Sequence, residues 1–156
     1  MDFSSLYKKY APDVYRFALY LSSERGEAED ITSETFVRAW AAPVTIEIAT
    51  VKGYLFTIAR NLFLQGLRKK SRHVALHDEL RDPQAGPYAR AAQKEELHSV
   101  MKELQKLPEA SRAALLMRAV EGMAYDEIAH VLGISLATVK VKIHRARLAL
   151  SGIRDA

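Results

Sequence analysis

Apolar residues recur at helical spacing along most of the chain, and the breaks in that period divide it into segments. Leu6, Tyr10, Val14, Phe17, Ala18 and Leu21 share one helical face and predict a first helix that stops near Ser22, Ser23 and Gly26. A second helix is expected from Glu27 to Ala41. Ala28, Ile31, Thr35 and Ala39 lie along one stripe, Phe36 and Trp40 pair four residues apart, and Pro43 ends the segment. Val44 to Val51 (VTIEIATV) alternates like a short strand, yet the chain offers it no partner strand, so it reads as an extended loop. The third helix, Lys52 to about Ser71, turns Leu55, Ile58, Ala59, Leu62 and Phe63 inward and ends in a basic cluster.

From His73 to Ala89 the period dissolves around Pro83, Gly86 and Pro87, which is the composition of a linker. Helical spacing resumes from Ala91 to Lys106, breaks at Leu107-Pro108, and continues as Glu109 to Glu121, Ala124 to Leu132 and Ser135 to about Gly152. The expected fold is all-α: two small helical domains, 1–72 and 91–156, joined by a flexible linker at 73–90, the second containing a helix-turn-helix.

Composition narrows the function classes. The chain has 156 residues, 49% hydrophobic and 27% charged, a balance that excludes wholesale disorder, and its 7 Gly and 5 Pro leave room for long helices. With no Cys, disulfides, cysteine zinc sites, iron–sulfur clusters and thiol nucleophiles are excluded. No apolar run reaches the roughly 18 residues of a membrane span, and charges interrupt the first residues, so the chain reads as cytoplasmic without membrane insertion.

The net charge of +4 matters less than its distribution. Val51 to Ala75 carries Lys52, Arg60, Arg68, Lys69, Lys70 and Arg72 without an acid, and Ile128 to Arg154 carries Lys140, Lys142, Arg145, Arg147 and Arg154, again without one. Between Glu24 and Glu34 the sign inverts: five acids face one Arg25, a stretch that would repel phosphates and attract a basic protein surface.

Tyr125 to Ser135 has the make-up of a helix, a tight turn and a cap: Ala129 is small where helices must cross, Gly133 can take a positive φ, and Ser135 can cap a further helix. In that last helix Val139, Ile143, Ala146 and Leu150 form the buried stripe. The opposite face then presents Ala137, Thr138, Val141, His144 and Arg145, flanked by Lys140, Lys142 and Arg147, as expected of a helix in a DNA major groove. The cations would neutralise phosphates, while Thr138, Val141 and Arg145 could reach base edges or a thymine methyl.

A helix-turn-helix alone does not decide function. The first half adds AEDITSETFVRAW (Ala28 to Trp40) and GYLFTIARNLFLQGLRKKSR (Gly53 to Arg72), which resemble region 2 of extracytoplasmic-function sigma factors, small bacterial RNA polymerase specificity subunits. LPEASRAALLMRAVEGMAYDEIAHVLGIS (Leu107 to Ser135) and TVKVKIHRARLAL (Thr138 to Leu150) resemble region 4 of the same family, in the same order. The resemblance implies that Asp30, Ser33, Glu34, Phe36 and Arg38 dock on the β′ clamp helices of core RNA polymerase, and that the β flap is a second polymerase contact. It also implies that Tyr54, Phe56, Arg60, Asn61, Arg68, Lys69 and Arg72 engage the minus-ten element, where exposed bases need stacking surfaces and cations. For Phe56, packing in the core is the competing reading.

The same resemblance implies that the second half reads the minus-35 element as duplex, through Ser135 and the basic face of its last helix, and that an anti-sigma factor holds the protein inactive. Four positions depart from the usual family pattern: Ser33 for Gln, Tyr54 for Trp, Gln65 for Asp and Val141 for Ser. VTIEIATV occupies the loop that in the family captures a flipped base.

No phosphate-binding Gly-rich loop, HExxH pair or serine nucleophile elbow occurs, so neither catalysis nor a cofactor is expected. His73 and His77, four apart beside Asp78, read as solvated side chains and not as metal ligands, and Met101, Met117 and Met123 read as core filler. Two other readings compete: a DNA-binding regulator that does not load polymerase, and a sigma-like decoy for a regulatory partner.

Overall fold

The computed structural model describes residues 2–41, 50–77 and 91–154, and the side chains of 2–41, 50–70 and 98–152. Ala42 to Ala49, most of VTIEIATV, and the segment holding Asp78, Pro83, Gly86 and Pro87 lie outside the described residues, as do the side chains of Arg72, His73 and His77. Among the described residues the structure is built from seven helices.

Helix α1 spans Phe3–Ser22. The Asp2 carboxylate accepts the Ser5 N–H at 2.8 Å, and this bond holds the Asp2 carboxyl below its ordinary pKa. Pro12 lies inside the helix, where the missing N–H costs about 3 kcal/mol. The buried row Val14, Phe17, Ala18 and Leu21 carries the helix through it. Ser23 then takes a left-handed turn (φ 59°) and donates its N–H to the Leu19 carbonyl at 2.7 Å, which closes α1.

Helix α2, Arg25–Ala41, begins two residues ahead of the expected Glu27, because Ser22 Oγ accepts the Glu24 N–H and starts the turn earlier. It buries Ala28, Ile31, Thr32, Thr35 and Phe36. The two threonine hydroxyls are satisfied by the Ala28 and Ile31 carbonyls at 2.7 and 2.6 Å. Helix α3, Val51–His77, is capped by Thr50, whose Oγ1 accepts the Gly53 N–H at 2.9 Å. It runs beyond the expected end at Ser71 and takes up the first residues assigned to the linker. Residues 73–77 (HVALH) contain no Gly or Pro, so nothing local stops the helix.

Helix α4, Ala91–Lys106, has the expected bounds. Helix α5, Glu109–Leu115, passes into a π-helical turn, Leu116–Val120. The widened turn and the positive φ of Gly122 (68°) aim Glu121 back at the first half. Helix α6, Tyr125–Leu132, ends at Gly133 (φ 68°), and α7 spans Leu136–Arg154.

Each half packs around an apolar centre. In the first, Phe17 of α1 stacks on Phe56 of α3 with centroids 4.6 Å apart and planes 6° from parallel, among Val14, Leu21, Leu55 and Phe36. In the second, Met117, Ile128, Val139, Ile143 and Ala146 are buried together with Met123, as expected of the core filler read at Met117 and Met123, whereas Met101 is only half-buried.

The two halves also lie against one another, α1 on α4, α5 and the π turn, and α3 on α6. Much of that seam is polar. Arg112 is buried and donates to the Leu104, Leu107 and Leu21 carbonyls at 3.0, 3.2 and 2.6 Å, joining the ends of α4 and α1. Burial lowers its pKa from the usual guanidinium value, against the charge of Glu109, which raises it. Gln105 adds bonds to the Tyr20 and Leu21 carbonyls.

Candidate nucleic-acid interface

Helix α7 is built from its cap outward. Ser135 Oγ accepts the Thr138 N–H at 3.1 Å and lies 2.7 Å from Thr138 Oγ1, so both hydroxyls sit at the helix entrance. Val139, Ile143 and Ala146 are buried, with Leu150 packed beside them, which fixes the rotation of the helix. Ser135, Ala137, Lys140, Val141, His144, Arg145 and Arg147 are therefore exposed, and Thr138 and Lys142 half-buried. Val141 is 46% exposed, an apolar contact set among cations. Among the described residues Lys140, Lys142, Arg145 and Arg147 make no salt bridge.

One support for this face was not visible in the sequence. The Arg118 guanidinium stands 4.3 Å from the centre of the Tyr125 ring and donates to the Met123 carbonyl at 3.0 Å, while Lys140 approaches the same ring at 5.8 Å. Tyr125 thereby ties the start of α6 to the side of α7. Charge and motif give no hint of this, because the three residues belong to different elements.

The cations of α3 are placed differently. Asn61, Arg68 and Lys69 are exposed and Tyr54 is half-buried, but two of the expected minus-ten residues are not free surface. Phe56 is 0% exposed and stacked on Phe17, so it cannot receive a base; the core reading is correct for it. Arg60 is clamped by Glu109 of α5, Nε to Oε2 at 2.8 Å and Nη2 to Oε1 at 2.7 Å. Lys52 reaches Glu121 at 3.1 Å and Asp13 at 3.4 Å. Lys70 bonds Glu24 and Glu27 at 2.8 and 2.7 Å; burial works against its charge, but the two carboxylates outweigh that and raise its pKa.

Pairing with Lys70 removes Glu24 and Glu27 from the outward acidic stretch. What remains on the open face of α2 is Glu29, Asp30, Ser33 and Glu34, with Arg38 bonded to Glu34 at 3.0 Å one turn on. Phe36, expected on this face, is instead buried edge-on against Tyr7, with centroids 5.0 Å apart; it anchors the helix and presents nothing to a partner. Trp40 and Val37 are each 57% exposed and extend the face with apolar surface, Trp40 resting edge-on against Phe3.

Comparison with known proteins places both halves. Residues 6–73 match the model of Sigma-70 region 2, and residues 97–150 that of Sigma-70 region 4. The chain is 33% identical over 158 residues to the ECF RNA polymerase sigma factor SigM of Bacillus subtilis, covering 98% of this chain and 95% of that protein. It is 34% identical to the ECF RNA polymerase sigma factor SigE of Mycolicibacterium smegmatis over 94% of its length, which spans 59% of that longer relative. Among solved structures it resembles the sigma factor RpoE in complex with the anti-sigma factor NepR from Bartonella quintana, with a TM-score of 0.83, 29% identity, and 99% and 98% of the two chains covered. CnrH in complex with the cytosolic domain of CnrY is similar at a TM-score of 0.73 and 28% identity, covering 98% of this chain and 87% of that one.

Proposed function

The chain belongs to the ECF RNA polymerase sigma factors, which direct transcription by core RNA polymerase, and from that membership we propose how its surfaces divide the work. The open face of α2, with Asp30, Ser33, Glu34 and Arg38, docks on the β′ clamp helices, and the second half contacts the β flap. Helix α7 enters the minus-35 major groove: Lys140, Lys142 and Arg147 meet phosphates, while Thr138, Val141, His144 and Arg145 face base edges, with Ser135 and Ala137 at the leading end. Tyr54, Asn61, Arg68, Lys69 and Arg72 track the separated minus-ten strand, joined by Arg60 once Glu109 releases it.

The protein breaks and makes no bond of its own and relies on the polymerase for catalysis, in the cytoplasm where polymerase and template lie. The first half, through α3, and the second, from α4, act as the two working units. One solved neighbour, the sigma factor RpoE, is bound to the anti-sigma factor NepR, and another, CnrH, to the cytosolic domain of CnrY, which supports an anti-sigma factor as a partner here too.

The observation that carries this reading is the presence, on one chain, of an exposed acidic helix face and a basic recognition helix whose cations have no described ion pair. Asp30→Lys with Glu34→Lys is expected to abolish co-elution with core polymerase and to leave duplex binding by the second half intact. Retained co-elution would contradict the docking role. A wild-type chain that binds duplex but not polymerase would favour the regulator that does not load it.

A further inference from the structure

We propose that the free chain inhibits itself through two carboxylates of the second half, Glu109 and Glu121, which occupy first-half cations as a nucleic-acid phosphate would. The Arg60 part of this rests on the minus-ten role proposed for that residue. The Glu109 carboxylate grips the Arg60 guanidinium with two parallel bonds of 2.7 and 2.8 Å, the fork geometry with which arginine also holds phosphate. Their side chains are only 15% and 17% exposed, so no phosphate can reach Arg60 while the pair stands.

Glu121 makes the second clasp. Its side chain is 0% exposed and receives Arg16 Nε at 3.0 Å, Arg16 Nη2 at 2.9 Å and Lys52 Nζ at 3.1 Å, with Asp13 bridging the same two cations at 2.8 and 3.4 Å. Glu121 caps the end of the π-helical turn and Gly122 follows it with a positive φ, so Glu121 sits where the chain turns toward the first half.

Such clasps are reversible by nature. The desolvation cost of a buried ion pair offsets most of its Coulombic gain, so the two clasps themselves add little to the free energy that holds the halves together. Added salt screens the charges, and phosphates compete for the cations directly. The closed form therefore hides Arg60 until a polyanion, or high ionic strength, displaces the carboxylates.

The absence of native Cys permits a clean test in the full-length chain. Dyes at Ser4→Cys and Ser151→Cys, both exposed positions on α1 and α7, report the separation of the halves by energy transfer. Glu109→Gln is expected to broaden the distance distribution and to tighten binding of a short mixed-sequence single-stranded DNA by about threefold to tenfold, by raising the competent fraction. Glu121→Gln should open the seam further, with helical circular dichroism retained.

Glu103→Gln makes the same change in net charge at an i,i+3 surface pair with Lys106, and is expected to alter neither readout. Unchanged distances in Glu109→Gln, or an equal gain of affinity in Glu103→Gln, would overturn the proposal. The energy-transfer result is independent of polymerase: a chain that opens on Glu109→Gln, while the wild type fails to bind polymerase, would sink the proposed function and leave the clasp standing.

Discussion

Helices α3 and α7 are both basic on one side and apolar on the other, yet they present their charge in opposite ways. On α7 the cations Lys140, Arg145 and Arg147 stand outward and Lys142 is half-buried, and none of the four has a described salt bridge. On α3, Lys52, Arg60 and Lys70 are each held by carboxylates of the same chain. A basic run therefore does not by itself make a ready nucleic-acid surface; what counts is whether the fold supplies the counter-charge. On the proposed function, helix α7 meets duplex phosphates as it stands, whereas α3 offers Arg68 and Lys69 at once and Arg60 only if its bond to Glu109 breaks.

Substitutions on the two helices sharpen this contrast. The largest effect is expected from Phe56→Ala, which empties the stack on Phe17 and should cost about 3–5 kcal/mol in urea unfolding. An exposed base-stacking residue at that position would instead lose DNA affinity with little change in stability. Next, Arg145→Ala should weaken binding to a minus-35 duplex by about 1–3 kcal/mol and relax preference at one position, in a fluorescence-anisotropy titration over several salt concentrations. If only the salt slope falls, by about 1, Arg145 meets a phosphate and not a base.

Val141→Ser, on the exposed face, should leave stability within about 0.5 kcal/mol and shift preference at a single minus-35 position in a promoter-library selection. An unchanged preference would remove Val141 from readout. The smallest effect belongs to Glu127, where α6 meets α3. Burial first, and Asp126 second, raise its pKa, and Thr50 Oγ1 bonds its carboxylate. A carboxyl whose folded pKa is raised contributes stability below its unfolded value, about 4.3. That contribution is lost as pH rises through the folded value. Glu127→Gln should therefore gain slightly on the wild type between acid and neutral pH, with denaturation midpoints as the measure; a constant gap would mean that Glu127 titrates as an ordinary surface carboxyl.

The fold was largely legible in the sequence because helical periodicity is local. The stripe Val139, Ile143 and Ala146, the turn at Gly133 and the cap at Ser135 all stand where spacing and turn chemistry put them. The end of α3 was misplaced because loss of an amphipathic period is not loss of helix: residues 73–77 (HVALH) show no clear period but also lack a breaker. The acidic and basic faces were visible as runs of charge. Their internal pairing was not, since Arg60–Glu109 and Arg16–Glu121 join residues 49 and 105 positions apart and no local rule links them. Phe36 was misread as a contact residue, and Phe56 was left open between base stacking and the core, for a related reason: an aromatic beside a charge has the same spacing whether it faces a partner or the core.

The central claim is that one chain connects polymerase to promoter. In vitro transcription with purified core polymerase, this protein and a randomised promoter library tests it most directly. The account predicts transcripts that depend on the added protein and start downstream of one shared pair of minus-35 and minus-ten sequences, lost on Asp30→Lys with Glu34→Lys. Absence of any protein-dependent transcript, with duplex binding intact, would contradict it.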